Sequence, residues 1–263
     1  MTPPKSRIGR LLSSPFRCVY ATYAIVLFLV LGLLALGALL LVPGLQRRRA
    51  VARAISGGFL QLAGMPVRVI SADRIPATQC VIVSNHASYL DGPVFTAVLP
   101  PRFGFVIKRE MHGVPLAGLL LRKLGSEFVE RFNRNRGAAD TRRVLRNATN
   151  GNSLVFFPEG TFTPEPGLLK FHTGAFVAAA RAGCPVVPAV VRGTRVALSP
   201  KHGVPRATRL EVEFLEPLMP TGTSGEAVAQ LRDRVREAIL LRLGEPDLTC
   251  SDDTDRRPDT ALG

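Results

Sequence analysis

The octet "SNHASYLD" at residues 84–91 places His86 five positions before Asp91, directly after the apolar run "CVIV". Imidazole takes and returns protons near neutral pH. A carboxylate on one ring nitrogen fixes the tautomer and leaves the other nitrogen as a base. Five positions is too far for partners on one straight helical face, where three or four is the rule. With His86 in a turn and Asp91 in the first turn of the next helix, the chain folds the carboxylate back onto the ring. That pair is the His–Asp half of a triad. The third member is missing, for there is no G-x-S-x-G elbow and no serine or cysteine in a nucleophile context. A base without a protein nucleophile activates a hydroxyl of its substrate. A plainer reading stands beside this one. Ser88 and Asp91 also form the S-x-x-D pattern of a capping box, Asn85 suits an N-cap or turn, and His86 is then a satisfied surface histidine.

Other reactive side chains fall where further apolar runs stop. "FPEGTF" (157–162) puts Pro158, Glu159, Gly160 and Thr161 at one such end, and "EFVER" puts Arg131 at another. "FVIKRE" puts Lys108 and Glu110 at a third, and "VVPAVVRGTR" (186–195) carries Pro188 inside an apolar run. A proline cannot donate to a central ladder, so Pro188 marks an edge, a bulge or a bend. Taken singly, each has a structural alternative: Arg131 and Lys108 as solvated strand-end charges, Glu159 and Gly160 as an ordinary turn.

The elements that must position these groups follow from periodicity. Short β-branched runs predict strands at 67–70, 80–84, 103–108, 127–130, 153–157, 186–191 and 210–215. Several are continuously apolar, as strands buried on both faces are. Helices are expected between them at about 92–99, 113–124, 137–149 and 173–182, with an amphipathic terminal helix at about 224–243 through Val228, Leu231, Val235, Ile239 and Leu243. The alternation predicts an α/β domain with a largely parallel mixed sheet flanked by helices. Catalytic groups in such sheets sit where strands end and helices begin.

Charge and hydropathy divide the 263 residues into three parts: a membrane-anchoring helix or helical hairpin over 1–65, a catalytic domain over 66–245, and a disordered acidic tail over 246–263. Residues 18–46 contain no charge, which exceeds the roughly 20 residues that cross a hydrocarbon core. The run is too long for a signal peptide, and Arg47–Arg49 close it like a stop-transfer flank. Basic residues on both sides give no orientation by the positive-inside rule. A span and a hairpin with both ends on one face both stand, and charges on both flanks are what the hairpin expects. The segment 47–65 reads as an interfacial amphipathic helix interrupted near Gly57–Gly58.

The net charge is +14, and no acidic residue precedes Asp73. Basic residues flanking an apolar run point to lipid rather than nucleic acid, for which no recognition module is present. Cys18, Cys80, Cys184 and Cys250 form no C-x-x-C pair and are expected as free thiols. The four histidines have no metal-ligand spacing, so no metal is expected.

Taken together, N-H-x4-D, F-V-E-R, F-P-E-G-T and V-P-A-V-V-R-G-T-R, in that order, resemble the four blocks of the glycerolipid acyltransferases, of the 1-acylglycerol-3-phosphate (lysophosphatidic acid) acyltransferase type. The resemblance covers about residues 65–220. It implies transfer of a fatty acyl group from an acyl-CoA or acyl-carrier-protein thioester to the hydroxyl of a lysophospholipid. That reaction would occur at the bilayer of the inner membrane with the catalytic domain facing the cytoplasm, and it would need no cofactor and no acyl-enzyme intermediate. It implies His86 as base oriented by Asp91, with Asn85 in the substrate-binding set. Arg131 and Lys108 are then placed on the acceptor phosphate, and Glu159, Gly160 and Thr161 around the acceptor. Pro188 falls in the block tied to the acyl donor. Phosphatidic-acid-forming members usually carry a basic residue after E-G-T, where this chain has Phe162; Lys170 and His172 lie near enough in sequence for either to compensate. An acceptor with another headgroup, such as lyso-ornithine lipid, is therefore the alternative. A lipid-binding protein without activity is a third reading, and an intact His86, Asp91, Arg131 and Glu159 set speaks against it.

Overall fold

The computed structural model describes residues 7–130, 134–201 and 203–249. It opens with the 35-residue helix α1 (Arg7–Leu41), whose backbone satisfies itself along the uncharged run. Val42, Pro43 and Gly44 end it. The proline lacks a donor, and Gly44 takes φ 83°, which only glycine adopts without strain. Helix α2 (Leu45–Leu62) then runs back along α1: the Tyr20 hydroxyl donates to the Ala63 carbonyl at 2.7 Å and that of Tyr23 to Leu62 at 3.0 Å. The described part of the amino-terminal unit is thus a pair of antiparallel helices. The expected interruption at Gly57–Gly58 does not occur. Each glycine costs about 1 kcal/mol of helix propensity, and burial of Phe59 and Leu60, 6% and 1% exposed, outweighs that cost.

Seven strands follow: β1 (Val67–Ile70), β2 (Val81–Ser84), β3 (Phe103–Lys108), β4 (Glu127–Val129), β5 (Ser153–Phe156), β6 (Val186–Arg192) and β7 (Leu210–Phe214). They form one sheet in the order β1-β7-β6-β2-β5-β3-β4. The five strands from β6 to β4 are parallel, while β7 is antiparallel to β6 and carries β1 parallel beside it. The sheet is therefore mixed and largely parallel, as the alternation predicts. Strands β2 and β5 are buried at every position and β6 at all but its last, whereas the edge strand β1 is buried at none.

Helices cover both faces. On one, α5 (Arg134–Thr149), α6 (Gly174–Ala182) and α8 (Gly225–Leu243) enclose a core of Val144, Phe176, Val186, Leu231, Val235 and Ile239. On the other, α2 and α3 (Asp91–Val98) pack Phe59, Leu60, Val94 and Phe95 onto Ile82, Val155 and Val187. The helix expected over 113–124 is shorter. A 3₁₀ turn occupies Arg109–Gly113, and α4 begins only at Ala117. Pro115 disfavours helical geometry in the residue before it, which delays the start. A one-turn helix, α7 (Thr194–Ala197), was not expected.

Pro188 coincides with a break in the β6–β7 ladder. Ala189 pairs with Phe214, but the next pairing is Val186 with Leu218, so β7 carries one extra residue across the gap. That is a bulge, placed where a ladder donor is missing. The expected tail boundary moves as well. Residues 246–249 are packed, with Leu168 N–H donating to Pro246 O at 2.9 Å and Leu248 N–H to Leu168 O at 3.1 Å. Residues 250–263 lie outside the described residues.

Candidate active site

Strand β2 is central because the chain crosses over it between β5 and β6, and its carboxyl end opens between those neighbours. A crevice at such a reversal is where α/β sheets bind ligands. His86 stands there, two residues beyond the strand. Its Nδ1 lies 2.8 Å from Asp91 Oδ2, and the same oxygen accepts the backbone N–H groups of Ala87 at 2.7 Å and Ser88 at 3.0 Å. Asp91 is fully buried at the first position of α3. Three donors on one carboxylate oxygen hold it in a single orientation. An ionised carboxylate only accepts, so Nδ1 carries the hydrogen and Nε2 is left with a lone pair. The turn-closing and imidazole-orienting readings of the octet are therefore both realised by one side chain.

Rings and backbone fix the imidazole. It stacks on Phe157 at 4.5 Å between centroids and meets the edge of Phe162 at 4.6 Å. Phe162 in turn meets Tyr89 at 4.9 Å. The His86 N–H donates to Glu159 Oε1 at 2.6 Å, and the other carboxylate oxygen, Oε2, accepts the Leu169 N–H at 2.8 Å. Glu159 is 5% exposed. Burial pushes its carboxyl up to about 7, against the opposing pull of the Leu169 and His86 N–H groups and the Arg195 charge. Gly160, at φ 77°, turns the chain directly after it. The resemblance puts Glu159 on the acceptor. Its oxygens accept two backbone amides, which ties the His86 turn to the loop after β5.

Asn85 likewise faces inward. Its amide donates to Val191 O at 3.0 Å and its carbonyl accepts Val191 N–H at 2.8 Å, which replaces ladder bonds where β2 ends beside β6. It pins the turn and is 3% exposed. Ser88 adds a third tie through its hydroxyl to Leu198 O at 2.9 Å.

Lys108 ends β3, two strands from β2, in register with Val129 of β4. Arg131 lies outside the described residues, two positions beyond Val129. Thr161 is exposed, and Pro188 is buried inside β6, four residues from its carboxyl end. Phe157 and Arg195 were not singled out in the sequence. Phe157 reads there as the last residue of a buried strand, and Arg195 as one more arginine in a basic chain.

Comparison with known proteins finds similar chains. A family model described as Acyltransferase matches residues 66–192. The chain is 28% identical over 187 residues to the 1-acyl-sn-glycerol-3-phosphate acyltransferase of Saccharomyces cerevisiae, which is 70% of this chain and 62% of that protein. It is 33% identical over 149 residues to the lyso-ornithine lipid O-acyltransferase of Pseudomonas aeruginosa, covering 55% of this chain and 53% of that one. The match therefore spans less than two thirds of either relative. In fold, the chain is similar to the crystal structure of the 1-acyl-sn-glycerophosphate (LPA) acyltransferase PlsC from Thermotoga maritima. The TM-score is 0.70 at 22% identity, over 95% of this chain and all of that one.

Proposed function

We propose that this chain, which a family model described as Acyltransferase matches over residues 66–192, moves a fatty acyl group from a thioester to the free hydroxyl of 1-acylglycerol-3-phosphate, giving phosphatidic acid. The observation that carries the reading is the 2.8 Å contact between His86 Nδ1 and the buried Asp91, because it leaves Nε2 as a base at the mouth of the sheet. Nε2 takes the proton of the acceptor hydroxyl as its oxygen attacks the thioester carbonyl. The tetrahedral adduct then collapses, the carbon–sulfur bond breaks, and the departing thiolate takes the proton back from the imidazolium. No acyl-enzyme forms, and the Asp91 charge stabilises the transient imidazolium. Such a base contributes roughly 10²–10⁴-fold, and proximity of the two bound substrates supplies much of the rest.

The amino-terminal helices suit a substrate held in a bilayer. Leu33, Leu34 and Leu41 of α1 are 56%, 59% and 85% exposed, an apolar surface that water disfavours and lipid does not. Leaving the bilayer would cost the acceptor's chain about 0.8 kcal/mol per methylene. The anionic thioester, of coenzyme A or acyl carrier protein, would come from the cytoplasmic side to this basic chain.

A second reading changes the acceptor alone. Phe162 presses a ring against His86 where phosphatidic-acid-forming members carry a cation, and one similar protein is a lyso-ornithine lipid O-acyltransferase. The test offers lysophosphatidic acid and lyso-ornithine lipid separately to the purified protein with radiolabelled acyl-CoA. Label passing into phosphatidic acid supports the main reading, label in ornithine lipid supports the second, and label in neither product overturns both.

A further inference from the structure

We propose that the carboxyl-terminal segment Glu245–Thr249 is a clasp that positions the catalytic turn, with Arg195 and Arg236 as its two anchors and Glu159 as the link to His86. The inference rests on the proposed acyl transfer and adds positioning residues to it.

Arg236, on α8, forms a two-pronged ion pair with Asp247, Nη1 to Oδ2 at 2.9 Å and Nη2 to Oδ1 at 2.6 Å. It also donates from Nη2 to Leu168 O at 2.9 Å and from Nε to Leu169 O at 3.1 Å. Planar guanidinium matches carboxylate and carbonyls in this fork, so one side chain joins the segment to the loop after β5. The pairing with Arg236 and the Thr249 hydroxyl holds the Asp247 carboxyl far below its usual range. Arg195, on α7, makes the second join. It donates to Thr163 O at 2.5 Å and Glu165 O at 2.7 Å, and pairs with Glu245 Oε2 at 2.9 Å. That oxygen also accepts the Gly167 N–H at 2.6 Å.

Backbone shape completes the closure. Leu168 and Asp247 form a parallel bridge, and the Leu248 side chain sits where a Cβ on Gly167 would be, within 2.4 Å of that position. Any side chain at 167 would push the segment off, and the glycine's φ of 147° disfavours one as well. The next residue but one, Leu169, gives its N–H to Glu159, whose other oxygen holds the His86 N–H. A chain of direct contacts thus runs from Asp247 through Arg236, residues 168–169 and Glu159 to the backbone of the proposed base. A shift of about 1 Å at such a base can cost on the order of a hundredfold in rate.

The test uses the whole 263-residue chain in detergent micelles. Asp247→Ala and Glu245→Gln are compared with wild type by hydrogen exchange of peptides covering 84–91 and 163–171, by melting temperature and by acyl-transfer kinetics. Exchange in both peptides should speed at least about tenfold in Asp247→Ala, and kcat should fall roughly tenfold with both KM values held within about twofold. In a Glu159→Gln background, Asp247→Ala should add no further loss of kcat, since both act through one link. Faster exchange confined to 163–171, unchanged kcat, or losses that multiply would each overturn the clasp. If Asp247→Ala melts too low to assay, Glu245→Gln must give the same pattern at smaller amplitude or the proposal fails. Hydrogen exchange needs no turnover, so a wild type inactive on every acceptor would refute the acyl-transfer reading while the clasp is judged by exchange alone.

Discussion

Two places along the carboxyl edge of the sheet are built differently. At the centre, the turn carrying His86 is tied on every side: Asp91 from its own helix, Asn85 to β6, Ser88 to the chain after α7, Glu159 from the loop after β5. Two strands away, Lys108 closes the three-residue ladder between β3 and β4, half-buried, beside a 3₁₀ turn. The difference follows from the chemistry each is proposed to do. Proton transfer requires atoms within about 3 Å and aligned, so small displacements matter. Attraction between an ammonium and a phosphate falls off slowly with distance and tolerates a flexible stem. Buried polar groups are concentrated where tolerance is least.

The largest expected effect comes from breaking the centre. His86→Ala should lower acyl transfer by roughly 10²–10⁴-fold while the melting temperature falls by no more than about 5 °C, because the imidazole makes no backbone tie that the turn depends on. Steady-state assay beside calorimetry checks this, and retained activity would remove the base from the account. Asp91→Asn comes next. Its carbonyl can still accept from Ala87 and Ser88, so the turn survives, but the charge that stabilises the imidazolium is gone. Turnover should fall about a hundredfold. A loss of stability with turnover per folded molecule unchanged would leave Asp91 as a turn-closing residue only.

Glu159→Gln tests the middle of the range. The buried carboxyl has its protonation midpoint raised from 4.5 to about 7, so folding favours its protonated form. Its contribution to stability is full below pH 4.5 and is lost as pH rises through about 7. Wild type should therefore show a melting temperature that declines across that window, and the glutamine variant should lack this part of the slope. Glutamine offers one acceptor oxygen to two amides, so kcat should also drop roughly tenfold. A variant with an unchanged pH–stability curve would show that Glu159 does not carry the titration.

The centre of the sheet was legible because β2, β5 and β6 are buried on both faces, which makes them continuously apolar. The His86–Asp91 pairing was legible for a similar reason: its partners lie within one turn, so spacing alone restricts the geometry. What was not legible depends on long-range packing. Glu159 reads as a turn residue or an acceptor contact until Leu169 and His86 are seen donating to it. Arg195 and Arg236 are two of many arginines, and their meaning comes from Glu245, at the end of the expected catalytic domain, and Asp247, which composition assigns to a disordered tail. Gly57–Gly58 signals a break locally, and the core beneath Phe59 and Leu60 overrides it.

The smallest effect should come from the looser place. If Lys108 steers a phosphate without holding it, Lys108→Ala should raise the KM for lysophosphatidic acid by about fivefold and leave kcat within about twofold, since uniform binding is lost and the transition state is not selectively affected. The KM for lyso-ornithine lipid, which has no phosphate, should not move. Raising the salt concentration should shrink the difference between wild type and variant, because an interaction of a partly exposed charge is screened over about 10 Å at 0.1 M. A fall in kcat equal to the fall in kcat/KM would mean that Lys108 acts at the reacting centre. The two places would then not differ in kind, and tight positioning would extend across the whole edge from β2 to β4.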